Sequence, residues 1–167
     1  LQGLAKARKI TYVEGEGRLV APNAVQVGDQ RYEGRNVILA TGSYSKTLPG
    51  LVVDGERVIT SEHALGLDHV PESAIILGGG VIGCEFASAW KSFGTDVTIV
   101  EALPRLLAVE DEASSKGLER AFRKRGIAFK VGNPFENVER TDSGVKVTIQ
   151  GGEAFEAELL LVAVGRG

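Results

Sequence analysis

A glycine-rich turn between a short apolar strand and a helical pattern constrains the fold of this 167-residue chain more than any other feature. Residues 74–77 are apolar, residues 78–83 read Gly-Gly-Gly-Val-Ile-Gly, and apolar side chains then recur at helical spacing to about residue 93. This order satisfies the G-x-G-x-x-G fingerprint, in which a parallel strand leads into a helix through a phosphate-binding turn. The fingerprint predicts an α/β fold with a parallel sheet.

Each glycine of the fingerprint has a separate physical task. Gly78 allows the tight turn out of the strand, Gly80 lets a pyrophosphate approach the backbone, and Gly83 allows the helix to pack closely on the sheet. The N-terminus of that helix offers free N–H groups and a partial positive charge to phosphates. A glycine-rich turn alone is a weak signal, so the neighbouring elements decide its meaning.

A carboxylate at the end of the next predicted strand supports nucleotide binding. The strand covers residues 96–101, and Glu101 follows Gly78 by 23 residues, close to the expected separation of about 20. A carboxylate here accepts hydrogen bonds from the adenosine ribose and repels the 2′-phosphate of NADP. The alternative is an ordinary polar residue at a strand end. Arg105 could contact a 2′-phosphate, but the position of Glu101 favours NAD.

The first part of the chain reads as short strands followed by a connector. Residues 10–14 predict a strand, and short segments at 18–20 and 24–27 are separated by a turn. Residues 36–42 contain an apolar run, Val37 to Ala40, that ends in Thr-Gly, which predicts a strand buried on both faces of a parallel sheet. Residues 43–72 lack clear periodicity and read as a connector with one helical turn.

The last part of the chain completes the parallel sheet and adds a meander. A helix over about 110–125 begins acidic and ends basic, which suits the helix dipole. Residues 127–131 predict a third strand. The segments 135–141, 145–150 and 154–164 predict a small antiparallel meander that ends in one buried strand.

The two parts of the chain follow a similar pattern. Each contains a strand followed by glycine, and each ends in an apolar strand with Ala40 or Ala163 two residues before a glycine. Since β-strands resemble one another, coincidence and a duplicated nucleotide-binding domain both remain open. The chain contains no Met and ends directly after an apolar strand, so we expect it to be a piece of a longer protein.

Composition argues against several classes of function. The net charge is −3 without a dense basic block, so we expect no nucleic-acid partner. No apolar run reaches the roughly 18 residues that would span a membrane, and no signal peptide is visible. Cys84 is the only cysteine, so it has no partner for redox chemistry. We expect a cytoplasmic protein without a metal site.

Three motifs, in the correct order, resemble the pyridine nucleotide–disulfide oxidoreductases. Residues 76–87 are similar to the family's second nucleotide fingerprint, residues 37–43 to the last strand of its FAD domain, and residues 162–166 to the strand that closes its NAD domain. The likeness is greatest to the members that oxidise dihydrolipoamide as the E3 component of 2-oxo acid dehydrogenase complexes.

The resemblance implies a division of the chain into three segments. Residues 1–45 would be the C-terminal remnant of an FAD-binding domain, residues 46–72 a connector, and residues 73–167 an NAD-binding domain. The implied fold is α/β, with a Rossmann-like three-layer domain that combines a parallel sheet and an antiparallel β-meander.

The resemblance also implies roles for individual residues. The NAD site would consist of Gly78, Gly80, Ile82, Gly83, Glu101 and Gly165. Glu85 would lie near the nicotinamide and flavin, although a carboxylate in the first turn of a helix is also favoured by the helix dipole alone. Gly17, Thr41 and Gly42 would approach FAD.

In the family member implied, dihydrolipoamide reduces a disulfide and the electrons pass through FAD to NAD. The Cys-x4-Cys pair is absent here, so we expect no catalytic residue in this chain and no activity of the chain alone. The first glycine motif of the FAD domain, which would bind the pyrophosphate, is also absent, so we expect loss of FAD. The parent would be a homodimer that meets lipoyl domains. The alternatives are an NADH oxidase, mercuric reductase or transhydrogenase of the same family, or a non-catalytic nucleotide-binding module.

Overall fold

Two units, Leu1–Gly42 and Ser43–Gly167, make up the structure, a computed structural model that describes residues 2–167. The first unit contains one short helix and a three-stranded antiparallel sheet. Its elements are α1 (Gln2–Ala7), β1 (Gly17–Ala21), β2 (Ala24–Val27) and β3 (Gln30–Glu33). The strands follow the order β1-β2-β3, and the two short segments predicted at 18–20 and 24–27, with a turn between them, are strands of one antiparallel hairpin.

Two segments of the first unit that were predicted to be strands are not strands. Residues 10–14 and 36–42 have no regular secondary structure. Ile38 and Leu39 expose 89% and 64% of their surface, so the segment predicted to be buried on both faces is open. A strand forms by pairing its backbone with a neighbour, and within residues 2–42 neither segment has one.

The second unit is built around a five-stranded parallel sheet. Its strands are β4 (Val58–Thr60), β5 (Ser73–Leu77), β6 (Asp96–Val100), β7 (Ala128–Lys130) and β11 (Leu159–Val162). An antiparallel sheet of three strands contains β8 (Phe135–Arg140), β9 (Val145–Ile149) and β10 (Ala154–Ala157). The helices are α2 (Ser61–Ala64), α3 (Val81–Phe93) and α4 (Glu112–Arg125). The parallel strands follow the order β4-β11-β5-β6-β7.

Both faces of the parallel sheet are buried, which gives the second unit its three layers. On one face, Ile76 and Leu161 pack in a core with the helix residues Ala87, Trp90 and Phe122. On the other face, side chains of β5 and β11 pack against the meander in a second core that includes Ile75, Leu160, Val145, Val147 and Ile149. This double burial explains the continuous apolar runs of β5 and β11 and confirms the predicted fold class.

The helices begin and end close to their predicted positions. α3 ends at Gly94 and α4 ends at Gly126, as the sequence indicates. α4 begins at Glu112 rather than at residue 110, because Asp111 caps it. The Asp111 carboxylate accepts hydrogen bonds from the backbone N–H groups of Ala113 at 2.9 Å and Ser114 at 3.1 Å.

The sequence did not predict strand β4, which lies inside the segment interpreted as a connector. Val58–Thr60 is fully buried and pairs in parallel with β11 at the edge of the sheet. Three residues are too few to show a periodicity, so this strand is defined by its pairing. Likewise, residues 154–164 divide into β10, which joins the meander, and β11, which joins the parallel sheet. The domain boundaries given above stay predictions.

Asp54 holds the turn that precedes β4. Its Oδ1 atom accepts hydrogen bonds from the backbone N–H groups of Glu56, Arg57 and Val58 at 2.8, 2.8 and 2.9 Å. Its Oδ2 atom lies 3.1 Å from the Arg140 guanidinium. Burial raises the pKa of Asp54, but these three N–H groups and the Arg140 charge outweigh it and lower the pKa below 3.8.

We expect Asp54→Ala to lower the free energy of unfolding by about 0.5–1.5 kcal/mol at pH 7, because three backbone N–H groups of the turn lose their common acceptor. The pKa is lower in the folded than in the unfolded chain. The charged carboxylate therefore stabilises the fold above the unfolded pKa, and this stabilisation is lost as the pH falls through the folded pKa. The difference in unfolding free energy between the original chain and Asp54→Ala, measured with urea, should be smaller at pH 3 than at pH 7. Glu56→Ala, which removes only an exposed partner of Arg140, is the control, and equal stability of both variants at pH 7 would contradict this expectation.

Candidate nucleotide-binding site

The glycine-rich turn lies at the carboxyl end of β5, the central strand of the parallel sheet. From β5 the chain passes through α3 to β6 on one side, whereas β11 pairs with β5 on the other side. The direction of the strand order therefore reverses at β5. In open α/β sheets such a switch point leaves a crevice at the carboxyl ends of the strands, where ligands bind.

The three fingerprint glycines differ in what surrounds them. Gly78 has a φ of +112°, and a Cβ atom there would lie 2.7 Å from the backbone carbon of Ala163. A Cβ on Gly83 would overlap the carbonyl oxygen of Gly78. By contrast, a Cβ on Gly80 would meet no atom within 4 Å. Gly78 and Gly83 are therefore required by the packing of the turn, whereas the face of Gly80 is open.

The N-terminus of α3 points out of this turn. Gly80 is its N-cap and supplies no side-chain cap. The first helical hydrogen bond runs from the Cys84 N–H to the Gly80 carbonyl at 3.0 Å. The N–H groups at the start of such a helix lack intrahelical partners and carry a partial positive charge. Together with the open face of Gly80, these N–H groups form a candidate cradle for phosphate oxygens.

Glu101 connects the end of β6 to the glycine-rich turn. Its Oε2 atom accepts a hydrogen bond from the Gly79 N–H at 2.5 Å, and its Oε1 atom accepts one from the Leu103 N–H at 2.7 Å. Each carboxylate oxygen can accept more than one hydrogen bond. The half-buried Glu101 can therefore still receive the hydroxyls of a ribose while the backbone holds it in place.

A cleft of about 450 Å³ brings most of the predicted NAD residues together. Gly78, Gly80, Ile82, Glu101 and Gly165 all line it. Gly83 lies behind the turn and is buried. The cleft also has apolar walls that the sequence analysis missed, formed by Leu48, Leu103, Phe135 and Val164. Val164 lies within the motif at residues 162–166, whereas no local motif marks Leu48, Leu103 and Phe135, which come from separate parts of the sequence.

Glu85 does not line this cleft. It is exposed on α3 and borders a groove between α3 and α4 with Ala89 and Leu118. The interpretation of Glu85 as a first-turn carboxylate is wrong, because α3 begins at Val81 and has no acidic residue in its first turn. Its role near the nicotinamide and flavin stays a prediction.

The residues predicted to approach FAD are not gathered into a cleft. Gly17 begins β1, whereas Thr41 and Gly42 follow a segment without regular secondary structure. A cleft on the hairpin of that unit is lined by Gly15, Arg18 and Tyr32, among others, and by none of these three residues. The roles of these three residues toward FAD stay predictions.

Cys84 and Arg105 are both occupied by structural contacts. Burial raises the pKa of the Cys84 thiol to about 11, and the charges of Glu101 and Glu85 add to this effect. The thiol donates a hydrogen bond to the Gly79 carbonyl at 3.4 Å. The Arg105 guanidinium donates to the carbonyls of Ala108 and Glu110 at 2.8 and 2.9 Å, within its own loop. It does not line the cleft beside Glu101.

Within residues 2–167, no group of three His, Cys, Asp or Glu side chains is placed to hold a metal ion. None of the helices in this range combines the length and apolar character needed to cross a membrane. His63 and His69 both lie between residues 43 and 72, where His63 contacts the backbone N–H of Thr60 and His69 contacts Asp68 and Glu158.

Comparison with known proteins identifies relatives along the whole chain. The family described as pyridine nucleotide-disulphide oxidoreductase matches residues 1–167. Dihydrolipoamide dehydrogenase of Chaetomium thermophilum is 39% identical over 99% of this chain and 35% of the relative. The mitochondrial dihydrolipoyl dehydrogenase of Pisum sativum is 35% identical, with the same two coverages. This chain thus spans about a third of these relatives.

A solved structure has a similar fold along nearly the whole of this chain. LpdA from Mycobacterium tuberculosis superposes with a TM-score of 0.79 and 28% sequence identity. The match covers 99% of this chain and 38% of the LpdA chain. The parallel sheet, the meander and the glycine-rich turn therefore occur here in an arrangement that is already known in larger proteins.

Proposed function

This chain belongs to the pyridine nucleotide-disulphide oxidoreductase family, and we propose that it is the NAD-binding portion of a dihydrolipoyl dehydrogenase. Such a flavoprotein oxidises dihydrolipoamide and reduces NAD through a disulfide and FAD. One observation supports the NAD site most directly. The open face of Gly80 lies in a cleft that also contains the Glu101 carboxylate.

The chain's own residues account for the binding of NAD. The N–H groups at the start of α3 would hold the pyrophosphate against Gly80. Glu101 would accept hydrogen bonds from the adenosine ribose, and its charge would exclude a 2′-phosphate. Gly165, after β11, would line the nicotinamide side of the cleft. When bound, NAD supplies the hydride acceptor, and the protein supplies its position.

The remaining functions belong to the parent protein. The chain spans about a third of the relatives described above, and its one cysteine cannot form the active disulfide. We propose that the parent is a homodimer that holds FAD and serves lipoyl domains of a 2-oxo acid dehydrogenase complex. We propose a cytoplasmic location, although the Pisum sativum relative is named as mitochondrial.

A second candidate is a non-catalytic nucleotide-binding module. Such a module would use the same cleft, with the open face of Gly80 and the Glu101 carboxylate, and would carry out no redox step. Both candidates require NAD binding, and they differ in lipoamide-dependent reduction by the parent protein. Another member of the family, such as an NADH oxidase, mercuric reductase or transhydrogenase, would also share this NAD site.

Calorimetric titration of the chain with NAD, NADP and AMP tests the site. We expect NAD to bind more tightly than NADP, and Glu101→Ala to weaken NAD binding about tenfold, equivalent to about 1.4 kcal/mol. The variant should also lose its preference for NAD, because the carboxylate that repels a 2′-phosphate is gone.

Glu110→Ala is the matched control for this titration. Glu110 lies after the same strand, and within residues 2–167 its side chain has no hydrogen bond or ion pair. This control should bind NAD like the original chain. A folded chain that binds none of the three nucleotides would contradict the proposed site. Unchanged selectivity in Glu101→Ala would contradict the role of the carboxylate.

A further inference from the structure

Three contacts join Gly79, the glycine between Gly78 and Gly80, to the loop between β6 and α4. The Gly79 N–H donates to Glu101, as described above, and the Gly79 carbonyl accepts a hydrogen bond from the Leu107 N–H at 2.8 Å. The Leu106 side chain packs so closely that a Cβ on Gly79 would lie 2.6 Å from its Cδ2 atom. The orientation of the Gly79 peptide therefore depends on this loop.

Two side chains of α4 hold the loop in turn. The Ser115 hydroxyl donates a hydrogen bond to the Leu106 carbonyl at 2.5 Å. The Leu106 N–H donates to the Glu119 carboxylate at 3.2 Å. Ser115 and Glu119 are four residues apart, so they lie on the same face of the helix. The N–H and the carbonyl of Leu106 are therefore both hydrogen-bonded to side chains of α4.

The loop and the helix residues that contact it are buried, and the loop contains an unusual backbone conformation. Leu106 and Ser115 are completely buried, and the Glu119 side chain is only 14% exposed. Leu107 has a φ of +49°, which a leucine rarely adopts. A strained conformation of this kind persists only where the surrounding structure enforces it. Leu107 is held by its own backbone hydrogen bonds to Gly79 and Glu110, and α4 holds the residue before it.

We propose that Ser115 and Glu119 are positioning residues for nucleotide binding, and this inference rests on the proposed function. By holding the Leu106 peptide, they press the loop against Gly79 and thereby orient the turn that presents Gly80. They also keep Glu101, at the start of the same loop, beside the ribose position. Neither residue lines the nucleotide cleft, so they act through the loop.

The test uses Ser115→Ala, Glu119→Ala and Glu119→Gln in the full 167-residue chain, titrated with NAD well below the unfolding temperature. We expect the two alanine variants to weaken NAD binding about two- to tenfold, the range that corresponds to one lost hydrogen bond. Glu119→Gln keeps an oxygen acceptor for the Leu106 N–H and should bind like the original chain. Ser114→Ala, an exposed serine on the same helix, is the matched control.

Amide hydrogen exchange without NAD provides the second measurement. The Gly79 and Leu107 amides should exchange faster in Ser115→Ala and Glu119→Ala, whereas amides of β5 should not change. A purely stabilising role would instead raise exchange throughout the unit. Should Ser115→Ala not fold, Glu119→Ala and Glu119→Gln decide the question.

Three results would overturn the inference. The first is NAD binding by both alanine variants that equals the original. The second is weaker binding with unchanged exchange at Gly79 and Leu107, and the third is failure of Glu119→Gln to restore affinity. If the folded original chain binds no NAD, the proposed function fails and this inference fails with it.

Discussion

Gly80→Asp is expected to abolish NAD binding while the chain remains as stable as before. Gly80 has an ordinary extended backbone, with φ −75° and ψ −174°, and open space around it. Aspartate is a favourable N-cap, so the helix gains a partner for its first N–H groups. The same carboxylate would occupy the phosphate cradle and repel a pyrophosphate. We expect affinity to fall by at least about 100-fold, or roughly 2.7 kcal/mol.

Calorimetry with NAD and urea unfolding, both on the same preparation, measure the two parts of this expectation. Glu110→Asp, which changes a carboxylate outside the cleft, provides the control and should alter neither quantity. NAD binding of ordinary affinity by a folded Gly80→Asp chain would place the pyrophosphate elsewhere. A large loss of stability would show that the face of Gly80 is not open.

Gly78→Ala is expected to have the opposite effect, a large loss of stability. Its φ of +112° is unfavourable for any residue with a side chain. The added Cβ would press on the backbone of Ala163 and would lie 3.2 Å from the Val164 nitrogen. Backbone atoms cannot move aside as a side chain can, so the new Cβ overpacks the turn. This overpacking and the strained φ both lower the stability. We expect the free energy of unfolding to fall by about 3–5 kcal/mol.

Urea unfolding at pH 7 measures this loss, and Gly117→Ala is the matched control. Gly117 lies inside α4, where a Cβ would meet nothing within 4 Å. Alanine there should raise stability by up to about 1 kcal/mol, because glycine is a poor helix former. A loss below about 1 kcal/mol in Gly78→Ala would mean that the turn can shift away from β11 without difficulty.

The sequence predicted the strand–turn–helix–strand frame because its signals are local. The glycine spacing, the helical period of α3 and the acidic start and basic end of α4 all act within a few residues. The carboxylate of Glu101 could be placed because the strand β6 ends beside the turn in every parallel sheet of this kind. Five of the predicted NAD residues consequently line one cleft.

Two segments differ from what the sequence predicts because strand formation depends on a pairing partner. Residues 36–42 have the composition of a buried strand, yet Ile38 is almost completely exposed because residues 2–42 offer it no neighbouring strand. Val58–Thr60 shows no strand pattern, yet it is a strand because β11 pairs with it. Apolar composition makes a segment suitable for a strand, but the segment forms one only where a neighbouring strand supplies hydrogen-bonding partners.

By itself, the sequence determined the fold class, the glycine-rich turn and the carboxylate beside it, since each follows from short-range geometry. Only the tertiary structure decided that Leu48, Phe135 and Val164 form the cleft walls, and that α4 holds the loop behind Gly79. Those contacts join residues from distant parts of the chain. Their formation depends on how the sheet and its two layers pack, and no local pattern encodes that packing.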